Sequence, residues 1–255
     1  MKLNFKQYGA GKPIVIMHGM FGMLDNWQYV ARELAEEYMV FLVDLRNHGK
    51  SPHSEEFSYA LMADDIRKFM EDNWLYEAKL VGHSMGGKVA MQLALEEPDM
   101  VEQLVVVDIA PKSYRGNHET IIAAMQSLPL GELENRSAAE AHLRKSIHEE
   151  AVVQFLLKNL SRERSGGYRW KMNLPVIASH YKEILGNSLP EEQYEGPTLF
   201  IQGLNSHYIN PNELADYQHY FPAAQITPIA NAGHWVHAEQ PQAFLAALRN
   251  FFAEN

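Results

Sequence analysis

Short unbroken apolar runs recur along this chain, and each gives way to a stretch in which apolar residues return every third or fourth position. Residues 14–17 (IVIM) run into His18-Gly19, 39–43 (MVFLV) into Asp44, 79–81 (KLV) into Gly82, 104–107 (LVVV) into Asp108, and 198–201 (TLFI) into Gln202-Gly203. A weaker run follows at 225–229. Apolar runs of that length, rich in β-branched residues and separated by helical periods, predict a parallel sheet covered on both faces. Trp27, Val30, Ala31 and Leu34 share one helical face; so do Val89, Leu93 and Ala94, which follow two glycines. Phe244, Leu245, Leu248, Phe251 and Phe252 form a closing amphipathic helix with Pro241 in its first turn.

One interval breaks this rhythm. Between Asp108 and Pro197 no clear core strand occurs, although residues 138–160 and 174–185 carry helical periodicity. A structureless loop of that length is foreign to a compact domain. The pattern therefore predicts a doubly wound α/β core over residues 1–112 and 191–255, with a helical insertion over 113–190. The insertion is expected on the C-terminal edge of the sheet, where ligands of open α/β sheets bind.

Composition narrows the function. The 255 residues include no cysteine, which excludes disulfide scaffolds, cysteine metal sites and cysteine nucleophiles. With 22 Lys and Arg against 32 Asp and Glu, the net charge of −10 repels nucleic-acid backbones, so no nucleic-acid partner is expected. No apolar stretch approaches a membrane span, and the polar N-terminus does not read as a signal peptide, so a cytoplasmic protein is expected. G-x-G-x-x-G with a downstream acid is absent; no cofactor is expected.

The strongest chemical signal is Gly82-His83-Ser84-Met85-Gly86-Gly87. A G-x-S-x-G between a strand and a helix puts the serine on a tight turn that lifts its hydroxyl clear of the sheet. It also aims the Met85 N–H at a reacting carbonyl. His18-Gly19-Met20, after the first strong run, can offer the Met20 N–H as a second oxyanion donor. His234, in Ala232-Gly233-His234-Trp235, lies after the last apolar run, where a general base that follows serine and acid is expected. His237 is three residues further on, but no set of carboxylates accompanies the two imidazoles, so no metal site is expected. Two strand-end carboxylates compete for the acid. Asp108 ends the run that follows the Ser84 helix; Asp44 ends a run further to the other side and, with Arg46 and Asn47, fits the pinning of a loop.

Together these stretches resemble the α/β-hydrolase superfamily, and within it the bacterial YbfF-type esterases. The resemblance is carried by HGMFGMLDNW (18–27), VDLRNHGKSP (43–52), VGHSMGGKVAMQLA (81–94), VVDIAPKSY (106–114), VVQFLLKNL (152–160), RWKMNLPVI (169–177), FIQGLNSHYI (200–209) and AGHWVHAEQP (232–241). It implies a carboxylesterase or acyl-thioesterase with a helical cap, Ser84 as nucleophile and His234 as base. The superfamily's usual acid position holds Ser206 here, beside Asn205, and neither can be anionic; the resemblance implies Asp108 instead. It further implies that Tyr114, Tyr208 and Trp235 line the substrate pocket. Dehalogenases and epoxide hydrolases share the pattern but carry Asp where Ser84 stands. Acyl transfer, perhydrolysis or carbon–carbon hydrolysis on the same site, and a hydrolase-fold binding protein of low turnover, remain the alternatives. The expected partner is a small-molecule ester or thioester.

Overall fold

The computed structural model describes residues 1–254. Seven strands form one sheet: β1 (Phe5–Tyr8), β2 (Pro13–Met17), β3 (Met39–Val43), β4 (Ala78–His83), β5 (Val101–Val107), and two late strands. A separate two-stranded ribbon is made of β6 (Leu160–Arg162) and β7 (Tyr168–Trp170), and β8 (Thr198–Gly203) and β9 (Ala224–Ile229) complete the main sheet. The order is β1-β3-β2-β4-β5-β8-β9, parallel throughout except for β1, which runs antiparallel to β3 on the edge. Every apolar run of the sequence is a strand of this sheet.

Successive residues of these strands feed opposite faces, as the strand period requires. Ile14, Ile16, Leu42, Val105 and Val107 pack with Trp27, Leu34, Phe244 and Leu248. That face is covered by α1 (Gln28–Leu34) and the C-terminal helix α11 (Pro241–Glu254). Val15, Met17, Phe41, Leu80 and Val106 pack on the other face with Ile66, Met70, Val89 and Leu93 of α2 (Tyr59–Asp72) and α3 (Met85–Glu96). Both sides of the central strands are therefore dry, which is why they read as continuous apolar runs rather than alternating ones.

Between β5 and β8 the chain forms α4 (Glu119–Gln126), α5 (Arg136–Leu143), α6 (Glu150–Leu157), the β6–β7 ribbon, α7 (Leu174–Ser179) and α8 (Tyr181–Leu185). The periodicity over 138–160 is not one helix: it divides into α5 and α6, which turn back on each other around the buried Ile147. This segment lies over the C-terminal ends of the strands, where Asn159 Nδ2 donates to Phe21 O at 2.6 Å and Asn173 N to Asn47 O at 2.8 Å. Helices α9 (Leu214–Tyr220) and α10 (Val236–Glu239) close the circuit around β9. Among the described residues no helix is long and apolar enough to cross a membrane.

Candidate active site

Ser84 stands between the end of β4 and the first turn of α3, with φ 53° and ψ −119°. That left-handed conformation is unfavourable for a residue with a Cβ and is held by the surroundings. The Ser84 N–H donates to Val107 O at 3.0 Å, and its carbonyl takes the N–H groups of Gly87 and Lys88 at 2.8 and 3.1 Å. The turn closes only because glycine stands on both sides. A Cβ on Gly82 would lie 2.2 Å from the Gly86 carbonyl oxygen, and one on Gly86 would lie 2.5 Å from that of His18.

Asp108 follows β5 with φ 50°, its N–H extending the sheet to Ile201 O at 2.8 Å. Its carboxylate is fully buried and fully used. Oδ1 accepts from Gly203 N at 3.1 Å, while Oδ2 accepts both the Ser206 hydroxyl at 2.5 Å and His234 Nδ1 at 2.8 Å. A carboxylate can only accept, so the shared proton belongs to Nδ1 and the ring's Nε2 is left as an acceptor. Ser84 and His234 line the same cavity of about 220 Å³. Ser206, at the superfamily's usual acid position, thus contributes a hydroxyl to the Asp108 carboxylate.

Two further carboxylates, Asp44 and Glu239, are engaged elsewhere. Asp44 accepts from Asn4 Nδ2, Leu24 N and Lys50 N at 2.7–2.9 Å and so pins three loops together. Glu239 takes the N–H groups of Gly233 and Trp235 at 2.7 and 3.0 Å and shapes the turn that carries His234.

Three of the surrounding imidazoles are buried and a fourth, His118, is half-buried. Burial lowers His18 to about 4 and His237 to about 3; His83 is pushed well below the usual range by burial and by the neighbouring His234 and His237. His83 Nε2 donates to His234 O at 2.8 Å, joining the turn after β4 directly to the turn after β9. His237 is stacked on Trp27, with centroids 3.8 Å apart. His118 contributes from the segment between β5 and β8, lowered to about 4 mainly by burial. The site thus offers little fixed charge besides Asp108, in surroundings where a hydrogen bond to a developing oxyanion is worth more than in water.

Met20 and Ser84 line the cavity, and the backbone N–H of Met85 lies at the first turn of α3. Among the described residues neither the Met20 nor the Met85 N–H has an acceptor. Tyr208 and Trp235 stand on the cavity wall, Tyr208 stacked on the His234 ring with centroids 4.3 Å apart. Tyr114 does not: it stands behind Tyr208, its hydroxyl accepting from Ala110 N at 2.7 Å and donating to Tyr208 O at 2.8 Å. It supports the wall from within because its hydroxyl is consumed by backbone. The sequence did not indicate Asn117, His118, Ile121, Val152 and Leu156, which complete the cavity from the α4 and α6 side. Phe155, on the same wall, meets Trp235 with centroids 5.3 Å apart.

An acceptor nitrogen held by a buried carboxylate, on the same cavity as a serine and near two unpaired backbone donors, can move a proton off a hydroxyl and stabilise the charge that develops on an attacked carbonyl.

The chain is similar to known proteins over nearly its whole length. The model of the α/β-hydrolase fold family matches residues 12–241. The chain is 41% identical to the sn-1-specific diacylglycerol lipase ABHD11 of Danio rerio, covering 97% of this chain and 80% of that protein. It is 38% identical to the esterase YbfF of Escherichia coli, over 98% of this chain and 99% of that protein. A solved structure described as a marine microorganism esterase superposes with a TM-score of 0.96 at 38% identity, covering 98% of this chain and 99% of that one.

Proposed function

The chain belongs to the α/β-hydrolase family and is a serine hydrolase acting on esters; from that premise we propose that it is a carboxylesterase working through Ser84, His234 and Asp108. His234 Nε2 takes the Ser84 proton as the hydroxyl oxygen attacks the ester carbonyl. The tetrahedral oxyanion is held by the N–H groups of Met20 and Met85. His234 then returns the proton to the leaving alcohol, and an acyl-Ser84 remains. Water, deprotonated by the same imidazole, releases the acid. The observation that carries this reading is the 2.8 Å bond from His234 Nδ1 to the buried Asp108, with Ser84 and His234 on one cavity.

Residues 113–190 act as the cap in this reading, and the cap's Ile121, Val152 and Phe155 receive the acyl chain opposite Tyr208 and Trp235. A cavity of about 220 Å³ is below the ~300–1,000 Å³ usual for drug-sized ligands, which favours a short acyl chain. Relatives named as diacylglycerol lipases act on a glycerol ester; here the proposal is limited to small carboxylic esters, with acyl thioesters as the class to be compared. The test is a panel of 4-nitrophenyl esters and acyl-CoAs of graded length, with fluorophosphonate labelling of wild type and Ser84→Ala. Turnover on short esters and labelling of the wild type alone are expected. Turnover by Ser84→Ala close to wild type would reject the mechanism.

A further inference from the structure

Lys88 lies one turn beyond Ser84 on α3 and is only 2% exposed. A buried ammonium is costly unless it is paired, and among the described residues no carboxylate pairs with this one. Instead Nζ donates to Lys112 O at 2.9 Å and to Gly186 O, between the rings of Tyr59 and Tyr114 at 5.6 and 5.2 Å. The cost remains visible, since burial lowers the amine to about 8. A methionine of similar volume would be cheaper to bury, so the cation is explained by what it holds.

What it holds are the two roots of one segment. Lys112 is the last residue before position 113, and Gly186 follows α8 near the segment's return. Two further bonds brace the same junction: Tyr59 Oη donates to Ile184 O at 2.6 Å and Tyr114 N to Leu185 O at 2.8 Å. From α8 the contact continues to the cavity. The Tyr181 hydroxyl accepts from Asn117 N and His118 N at 3.1 and 3.0 Å, and both residues line the cavity. Lys88 itself does not line it.

We propose that Lys88 is a positioning residue that ties both roots of the cap to the helix behind Ser84 and so sets the fit of the longer acyl chains. The proposal rests on the cap reading of residues 113–190. Without the ammonium, α8 is free to shift, and Tyr181 moves the Asn117–His118 wall with it. Ser84, Asp108 and His234 keep their own bonds, so chemistry on an acyl group too short to reach that wall is unchanged.

The experiment is steady-state kinetics of Lys88→Met on the 4-nitrophenyl esters of acetate and hexanoate, with hydrogen–deuterium exchange of the same protein. The expected result is an acetyl kcat within about two-fold of wild type and a hexanoyl KM raised roughly tenfold, the signature of lost uniform binding. Exchange should rise over residues 114–126 and 181–186 and stay unchanged over α3. An unchanged ratio of the two KM values in a folded protein overturns the proposal. So does an acetyl kcat that falls in step, since Lys88 would then act on the nucleophile's helix. If Lys88→Met does not fold, Lys88→Gln, which keeps one donor, carries the test with an intermediate rise in hexanoyl KM expected. Failure of both to fold would assign Lys88 to the core and overturn the proposal. Phe155→Ala separates the two levels. A changed chain-length profile there, with none in Lys88→Met, removes the tie alone; no change in either removes the cap reading beneath it.

Discussion

Ser206 Oγ and His234 Nδ1 meet on one oxygen of Asp108, at 2.5 and 2.8 Å. The residue at the superfamily's usual acid position therefore donates to the carboxylate proposed as the acid. Two strand ends, after β5 and after β8, converge on one carboxylate.

Asp108→Asn should lower kcat by roughly 10³–10⁴, the scale of the same change in a serine protease triad, and leave KM nearly unchanged. The amide can no longer hold a proton on Nδ1 by charge. Adding Ser206→Asp should restore part of the loss, because a carboxylate there starts within hydrogen-bond distance of the same position. Wild-type kcat in Asp108→Asn between pH 7 and 8 would make Asp108 structural. Ser206→Ala alone removes one of three donors to a carboxylate that stays in place, so kcat should fall only about tenfold, in line with a charge-assisted hydrogen bond of ~1.5 kcal/mol.

The left-handed backbone of Ser84, φ 53°, carries a strain that does not depend on the hydroxyl. Ser84→Ala should abolish turnover with its melting temperature nearly unchanged. Ser84→Gly should be equally inactive yet more stable than Ser84→Ala by about 1 kcal/mol, since glycine meets no Cβ penalty there. Thermal melts of the two inactive variants check this; equal stability would mean the elbow is not strained.

How far the sequence discloses the molecule follows from what each signal depends on. Five of the parallel strands, β2, β3, β4, β5 and β8, are legible because burial on both faces makes them continuous apolar runs; β9, at the sheet's edge and buried only at its ends, gives a weaker one. Strand β1 is not, since its residues FKQY are mostly exposed and carry no such run; edge pairing alone makes it a strand. The β6–β7 ribbon is three residues on each side, too short for a period. Residues 138–160 carry helical periodicity without marking where it breaks, because two helices folded on each other keep the same apolar spacing; the turn around Ile147 is a tertiary event. Ser84 and His234 are legible from local turns. Asp108 follows from strand order and the missing carboxylate at 206, but the bond from Ser206 does not. The cavity wall at Asn117, His118 and Val152 depends on how the segment after β5 folds back, which no local pattern encodes.

The buried imidazoles predict acid sensitivity. His18, His48, His118 and His237 are lowered by burial to between about 3 and about 4, from 6.5. As pH falls below 6.5 the unfolded chain takes up these protons first, so stability is lost between about 6.5 and those lowered values. His237→Phe keeps an aromatic face on Trp27 and removes a buried nitrogen, Nδ1, that has no partner. It should match wild type at pH 7 and exceed it by about 2–3 kcal/mol near pH 4.5, two pH units of one proton's linkage. Urea melts at both values measure this. An unchanged difference between the two would show that His237 protonates without cost in the fold.

The oxyanion assignment can be tested without touching a side chain that meets substrate. Gly19 precedes Met20, and a Cβ on Gly19 would lie 2.8 Å from His83 Nδ1 and 3.1 Å from Ser84 Cβ. Neither neighbour can retreat freely: His83 is bonded through Nε2 to His234 O, and Ser84 is fixed by its turn. In Gly19→Ala the loop after β2 must move instead, carrying the Met20 N–H out of line with an oxyanion held by Met85. Loss of one such donor costs about 10²–10³ in kcat. The substrate carbonyl makes that bond chiefly in the transition state, so KM should change little. Met20→Leu keeps the N–H and alters only the cavity wall, and is expected to move KM and spare kcat. If Gly19→Ala and Met20→Leu both raise KM with kcat intact, the loop after β2 shapes the cavity, and the second oxyanion donor must come from another backbone group.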